Sequence, residues 1–226
     1  VGKDFAWHPN SFDKNINMAK FKSEELLTDL KTDVQRIAEA GAFFKSVDKN
    51  KLVYAPKDGK WSIVQILEHL NAYSRYYLPA IEASFSEKKT EKAAWFNSGF
   101  LGDYFTKSMK PTNVYEVKNK MKAMKAYTFP NSLNVDTVMN EFAAHQEKLL
   151  QLLDTAQHVN LNEIRIPITL TRIVKLKLGD ILRFLIAHEQ RHMIQARNTL
   201  NIVGIKTDKF PVLIQVVGAQ EMQNAK

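Results

Sequence analysis

The strongest constraint in this sequence is a helical period repeated in four long stretches. Between Ala19 and about Ser46, the apolar residues Leu26, Leu27, Leu30, Val34, Ile37 and Ala38 recur at spacings of one, three and four. At about 100° per residue they fall along one face of a helix. After LVYAPKDGKWS, which is broken by Pro56 and Gly59, Ser62 is the expected N-cap of a second run carrying Ile63, Ile66, Leu67 and Leu70. That helix reaches about Phe85, with Pro79 the place for a kink. Val138, Phe142, Leu149, Leu152 and Leu153 define a third from Val135 to about Ala156. The fourth runs from about Ile181 to Val203, with Asp180 expected as its N-cap and Gly204 as its stop.

Apolar stripes of this length bury one another as a bundle, so the expected fold class is all-α, a four-helix bundle in one domain spanning residues 1–226. Eight glycines and seven prolines in 226 residues agree, because a sandwich or barrel needs more tight turns than these supply. Between the second and third helices, residues 86–134 lose the period and include FNSGFLGDYFTKSMKP. They read as an irregular insertion with one or two short helices, folding over one end of the bundle. A connection of that length usually has a task, such as covering a pocket. The segment IRIPITLTRIVKLKLG is β-branched, but Pro167 and its shortness favour an extended connection over a paired strand.

Cysteine is absent, which excludes disulfides and thiolate ligands and leaves His, Asp, Glu or backbone oxygen for any metal. The net charge of +8 raises the question of nucleic acid. The densest basic stretch, KNKMKAMKAY from Lys118 to Tyr127, is interrupted by Met and Ala and comes with no zinc-finger, RNP or P-loop pattern. The basic residues therefore read as a solvated surface, and no nucleic-acid partner is expected. No apolar run reaches membrane-spanning length, and the opening VGKDFAWHPNSFDK lacks the apolar core of a signal peptide. No membrane contact and a cytoplasmic location are the expectations.

The six histidines carry the chemistry. His8 and His158 read as surface residues, and His145, on the face of Phe142 and Leu149, as a hydrogen-bonded core or edge residue. His188 and His192 are four apart, which on a helix sets their imidazoles about 40° apart on one face. The same arc holds Ile181, Phe184, Leu185, Gln195 and Thr199, the face a bundle buries. Two imidazoles there either find hydrogen-bonding neighbours or share a metal ion. His69, flanked at helical spacing by Ser62, Ile66, Tyr73 and Tyr76, is the natural third ligand. Three protein ligands leave a position for water or substrate, whereas structural zinc is closed by four.

The motifs WSIVQILEHL, Trp61–Leu70, and HEQRHMIQ, His188–Gln195, resemble the DinB-like superfamily. The resemblance implies a four-helix bundle whose zinc or nickel is held by His69, His188 and His192. Relatives in that family include bacillithiol transferases and mycothiol-dependent maleylpyruvate isomerase. It therefore implies a thiol-dependent S-transferase, or a hydrolase, acting on a small-molecule substrate, with a low-molecular-weight thiol bound by the metal as thiolate. Tyr73, Tyr76 and Gln195 share the ligand faces and are expected to orient substrate or metal-bound water, while Glu189 is expected to support a ligand or bridge helices. The insertion and the tail after Gly204 depart from the family pattern, and a homodimer is left open.

Two alternatives stand beside this reading. HEQRH fits the H-E-x-x-H pattern of zinc peptidases, with Glu189 as general base. The extended form of that motif fails, because Gln195 stands where Gly is required and Glu221 is the only later carboxylate far enough downstream. The other alternative is a non-enzymatic binding or sensing module stabilised by its metal.

Overall fold

The structure, a computed structural model, describes residues 18–57, 60–113, 116, 123–130 and 132–214, together with the backbone alone at position 172. His8, Gly59, Glu221 and the first half of the Lys118–Tyr127 run lie outside them.

The four periodic stretches form the long helices α1 (Ser23–Phe44), α3 (Ile63–Glu87), α5 (Val135–Ala156) and α6 (Leu178–Ile202), with a short α2 (Lys49–Leu52) after α1. Each turns its apolar stripe inward: Leu27, Val34 and Ile37 of α1 meet Ile66, Leu67 and Leu70 of α3, Phe142 and Leu153 of α5, and Ile181 and Leu185 of α6 in one core. Helix α3 is set by a reciprocal capping box between Ser62 and Gln65 and continues through Pro79. Asn134 caps α5 through the Thr137 N–H, 3.0 Å away. Gly204, at φ 77°, stops α6 in the left-handed conformation that glycine adopts without strain.

Both α1 and α3 pack against α5 and α6. Helices α1 and α3 therefore sit diagonally, although they are consecutive long helices, which separates this bundle from a simple up-and-down one. The consequence for function is that α3 and α6 are neighbours, so their inner faces can share a site.

Two small antiparallel hairpin-like sheets join the helices. Strand β1 (Lys20–Lys22) pairs with β2 (Trp95–Asn97), and so α1 starts at Ser23 and not at Ala19. Strands β3 (Arg165–Ile168) and β4 (Thr171–Lys177) pair where an extended connection was expected. Pro167 is tolerated because a two-stranded sheet has only edges, and the register shifts between Pro167 and Ile168.

Strand β4 runs straight into α6, and this corrects the expected cap. The helix begins at Leu178, with Lys177 at the N-cap position and no side-chain bond there. Its first free N–H groups are taken by backbone instead, Leu178 by the Ile164 carbonyl at 3.0 Å and Gly179 by Leu161 at 3.3 Å. Asp180 is buried in the first turn, where its carboxylate accepts the Ser98 hydroxyl and the Gly99 N–H.

The insertion supplies β2, a ten-residue helix α4 (Phe100–Met109) packed on α6, and a 3-10 turn at Lys125–Tyr127. Gly102 allows that packing, since a Cβ there would come within 2.1 Å of the Asp180 side chain. After α6, Phe210 packs on Phe43 and Phe44, with ring centroids 5.4 and 5.8 Å away. Among the described residues no helix is long and apolar enough to cross a membrane.

Candidate metal centre

His69 lies about two turns beyond the Ser62 cap of α3, and His188 and His192 lie one turn apart on the facing side of α6. The helix packing brings all three together: one ligating atom from each can be chosen so that all lie within 4.8 Å of one another. His69 Nε2 and His188 Nε2 are 3.2 Å apart. Two nitrogens each about 2.0–2.1 Å from a tetrahedral ion stand about 3.3 Å apart, so this pair already has the spacing of two ligands on one metal.

Hydrogen bonds on the far side of two rings fix which nitrogen faces inward. The His69 Nδ1–H donates to the Tyr127 carbonyl at 2.8 Å, and the His192 Nδ1–H to Gln195 Oε1 at 2.9 Å. Each imidazole then turns an Nε2 lone pair to the centre, the arrangement by which metal-binding histidines are oriented. His188 Nδ1 has no partner among the described residues. That ring is held by packing, with Tyr73 at 4.4 Å and Phe184 stacked at 6.0 Å and 10°.

Burial pushes all three imidazoles below the ordinary histidine range. His192 and His69 add to this at His188, and His69 adds to it at His192, whereas the Tyr127 carbonyl opposes it at His69 and Gln195 at His192. The neutral form prevails, which is the form that binds metal. Three neutral bases converge: His69 Nε2 can take a hydrogen only from His188 Nε2, 3.2 Å away, and no hydrogen bond among the described residues reaches His188 Nδ1 or His192 Nε2. A divalent cation fits this set.

The surroundings are aromatic. Trp61 lies 4.9 Å from His69 and stacks on His192 at 6.1 Å, and Tyr127 lies 4.5 Å from Tyr73. His69 and His188 are buried, but His192, Trp61, Tyr73, Tyr127 and Phe184 are partly exposed, so the cluster opens to solvent on an aromatic-lined side.

The other residues singled out from sequence divide. Tyr73 sits against the triad, and its hydroxyl has no hydrogen bond among the described residues. Gln195 lies behind His192. Tyr76 is turned away, its hydroxyl on the Ile168 carbonyl at 3.3 Å, where it ties α3 to β3. Glu189 faces α5: it is 1% exposed and accepts from Gln146 Nε2 at 3.3 Å, and burial pushes its carboxyl up to about 8. His145 is the edge histidine expected, with Nδ1 3.1 Å from Asn71 Oδ1, and His158 is exposed. Sequence reasoning passed over Gln65, although Ser62-x-x-Gln65 is a capping-box pattern, and over the Tyr127 carbonyl, a backbone atom with no residue-type signal.

A helical bundle with three convergent histidines on two neighbouring helices defines a class of bundle built around a potential open metal site. Within that class the chain belongs to the DinB superfamily, whose family model matches residues 33–196. A solved structure, YfiT from Bacillus subtilis, described as a probable metal-dependent hydrolase with an unusual four-helix bundle topology, is similar over 89% of this chain and 95% of that one, at 13% identity and a TM-score of 0.48. No curated protein matches the chain.

Proposed function

We propose that this protein is a divalent-metal-dependent enzyme that joins a low-molecular-weight thiol to a small electrophile, or hydrolyses it, at His69, His188 and His192. The observation that carries the reading is the pair of oriented rings, His69 on Tyr127 and His192 on Gln195, aimed with His188 at one point beside an opening. When bound there, zinc or nickel would supply Lewis acidity, lowering the pKa of a thiol or water at neutral pH.

The chain's own residues provide the rest. Tyr73 stays protonated, because burial pushes its hydroxyl well above the ordinary tyrosine value. It therefore acts as a donor, and its unengaged hydroxyl is assigned to orient the electrophile. Trp61, Tyr127 and Phe184 give the opening apolar walls, which favour a small substrate with an apolar body and limit water. Glu189, turned to Gln146, supports a reading without a peptidase base. Dispersed charge supports a small-molecule partner over nucleic acid.

The test is metal analysis of the purified protein, then a screen of zinc- and nickel-loaded protein for thiol transfer and for hydrolysis. Turnover lost in His69→Ala and reduced about 10- to 100-fold in Tyr73→Phe is expected. Stoichiometric metal with no turnover toward thiol or water would favour the binding-module alternative.

A further inference from the structure

Gln65 is buried, 7% exposed, and uses both ends of its amide. Oε1 accepts the Ser62 N–H at 2.9 Å, which completes the capping box. A glutamate would do that equally well. The nitrogen end does something a glutamate cannot: Nε2 donates to the Phe129 carbonyl at 2.7 Å, 64 residues away in sequence.

Two residues before Phe129, the Tyr127 carbonyl takes the His69 Nδ1–H. One turn after Gln65 on the same face of α3 is His69. The match is geometric: carbonyls two apart on an extended chain are separated by about 6.6 Å, and side chains four apart on a helix by about 6.0 Å. Thr128, between the two carbonyls, is extended at φ −117° and ψ 136°. Residues 125–129 therefore form a strap with two carbonyls seated on two side chains of α3.

We infer that Gln65 is a positioning residue for the metal: it latches the 125–129 strap so that Tyr127 orients His69, and strap docking and metal binding strengthen each other. The inference rests on the reading of the triad as a metal site. A cation on His69 Nε2 makes the Nδ1–H a stronger donor to Tyr127, and a docked strap holds the ring in its ligating orientation. The coupling is reciprocal by linkage. The insertion then has a task, since it carries part of the ligand's support.

The variants Gln65→Glu and Ser62→Ala separate the two ends of the amide in the full chain. Gln65→Glu keeps an acceptor for the cap and removes the latch donor, and Ser62→Ala weakens the cap and leaves the latch. Zinc affinity would be read by competition with a chromophoric chelator, and strap docking by hydrogen exchange at the Tyr127 and Thr128 amides, which are bonded to Met124 and Lys125 at 2.9 and 3.2 Å. Gln65→Glu should weaken zinc about 10-fold or more and speed exchange at both amides, and Gln65→Met should do the same. Ser62→Ala should lower the melting temperature and leave zinc affinity within about 2-fold. Unchanged zinc affinity in Gln65→Glu, or equal losses in Gln65→Glu and Ser62→Ala, would overturn the latch. A parent that binds no zinc would overturn the metal reading instead, and exchange at Tyr127 and Thr128 would still decide the latch, unchanged rates in Gln65→Glu counting against it.

Discussion

Helix α6 carries two buried polar clusters that differ in one respect. Near its start, Arg183 donates to Ser98 Oγ at 2.7 Å and to Asp103 Oδ1 at 3.1 Å, and stands 3.6 Å from Asp180. Ser98 and the Gly99 N–H donate to Asp180, Lys107 pairs with Asp103 at 2.6 Å, and the Phe21 ring lies 4.5 Å from the guanidinium. Every charge there meets its opposite, and the cluster clasps the insertion to α6. In mid-helix, by contrast, three neutral histidines aim at one another: His69 Nε2 and His188 Nε2 have one hydrogen to share at 3.2 Å, and no hydrogen bond among the described residues reaches His188 Nδ1 or His192 Nε2. A buried cluster that closes on itself holds structure together. One left open in this way needs something from outside.

The contrast breaks first at the triad. His188→Ala with His192→Ala should remove the ion: the parent should hold about one divalent metal per chain after dialysis, and the double variant none. Full occupancy in the double variant would sink the ligand assignment. Arg183→Met should do the reverse, losing about 3–4 kcal/mol in urea unfolding because it leaves the buried Asp180 carboxylate without its cation and Asp103 with Lys107 alone, with zinc affinity kept within a few-fold. If zinc affinity collapsed with the clasp, the two clusters would be one functional unit and the comparison would fail.

Acidity sharpens the difference next. The triad imidazoles lie below the ordinary value of 6.5 in the folded protein, so the unfolded chain takes up protons first as pH falls. Stability of the metal-free protein is then full above about pH 6.5 and declines below it, until the folded-state values are passed. Between pH 7.5 and 5.5 the parent should lose on the order of 2 kcal/mol more than the double histidine variant, measured by urea unfolding of metal-free samples. Parallel losses would show that the triad is not the buried basic cluster described.

Between the two extremes stands Glu189, which is half closed: Gln146 reaches one oxygen, while Glu189 Oε2 and Gln146 Oε1 have no partner among the described residues. Its carboxyl, ordinarily at 4.5, is pushed up to about 8 by burial, so the folded state keeps the proton and loses stability as pH rises from the first value through the second. Glu189→Gln supplies a donor for Gln146 and carries no charge. It should become more stable relative to the parent as pH rises from 5 to 9, and keep its metal. Loss of metal in Glu189→Gln would move this residue into the site.

The sequence by itself determined the four helices and the identity of the clustered histidines, because both depend on short-range spacing. Leu26 to Ile37 and Ile63 to Leu70 share a period that only a helix satisfies, and His188 and His192 must lie one turn apart on any helix. What only the tertiary structure decided depends on which elements become neighbours. β1 pairs with β2 across more than 70 residues, and the β3–β4 hairpin extends into α6 and displaces Asp180 from the cap to the clasp. Tyr73 and Tyr76 looked alike on one helix face, but β3 claimed the hydroxyl of Tyr76, while that of Tyr73 has no hydrogen bond among the described residues. The support of His69 comes from a carbonyl 58 residues away, and every residue carries a carbonyl. Residue type can announce a ligand, but the backbone atom that aims it is chosen only when the chain has folded back on itself.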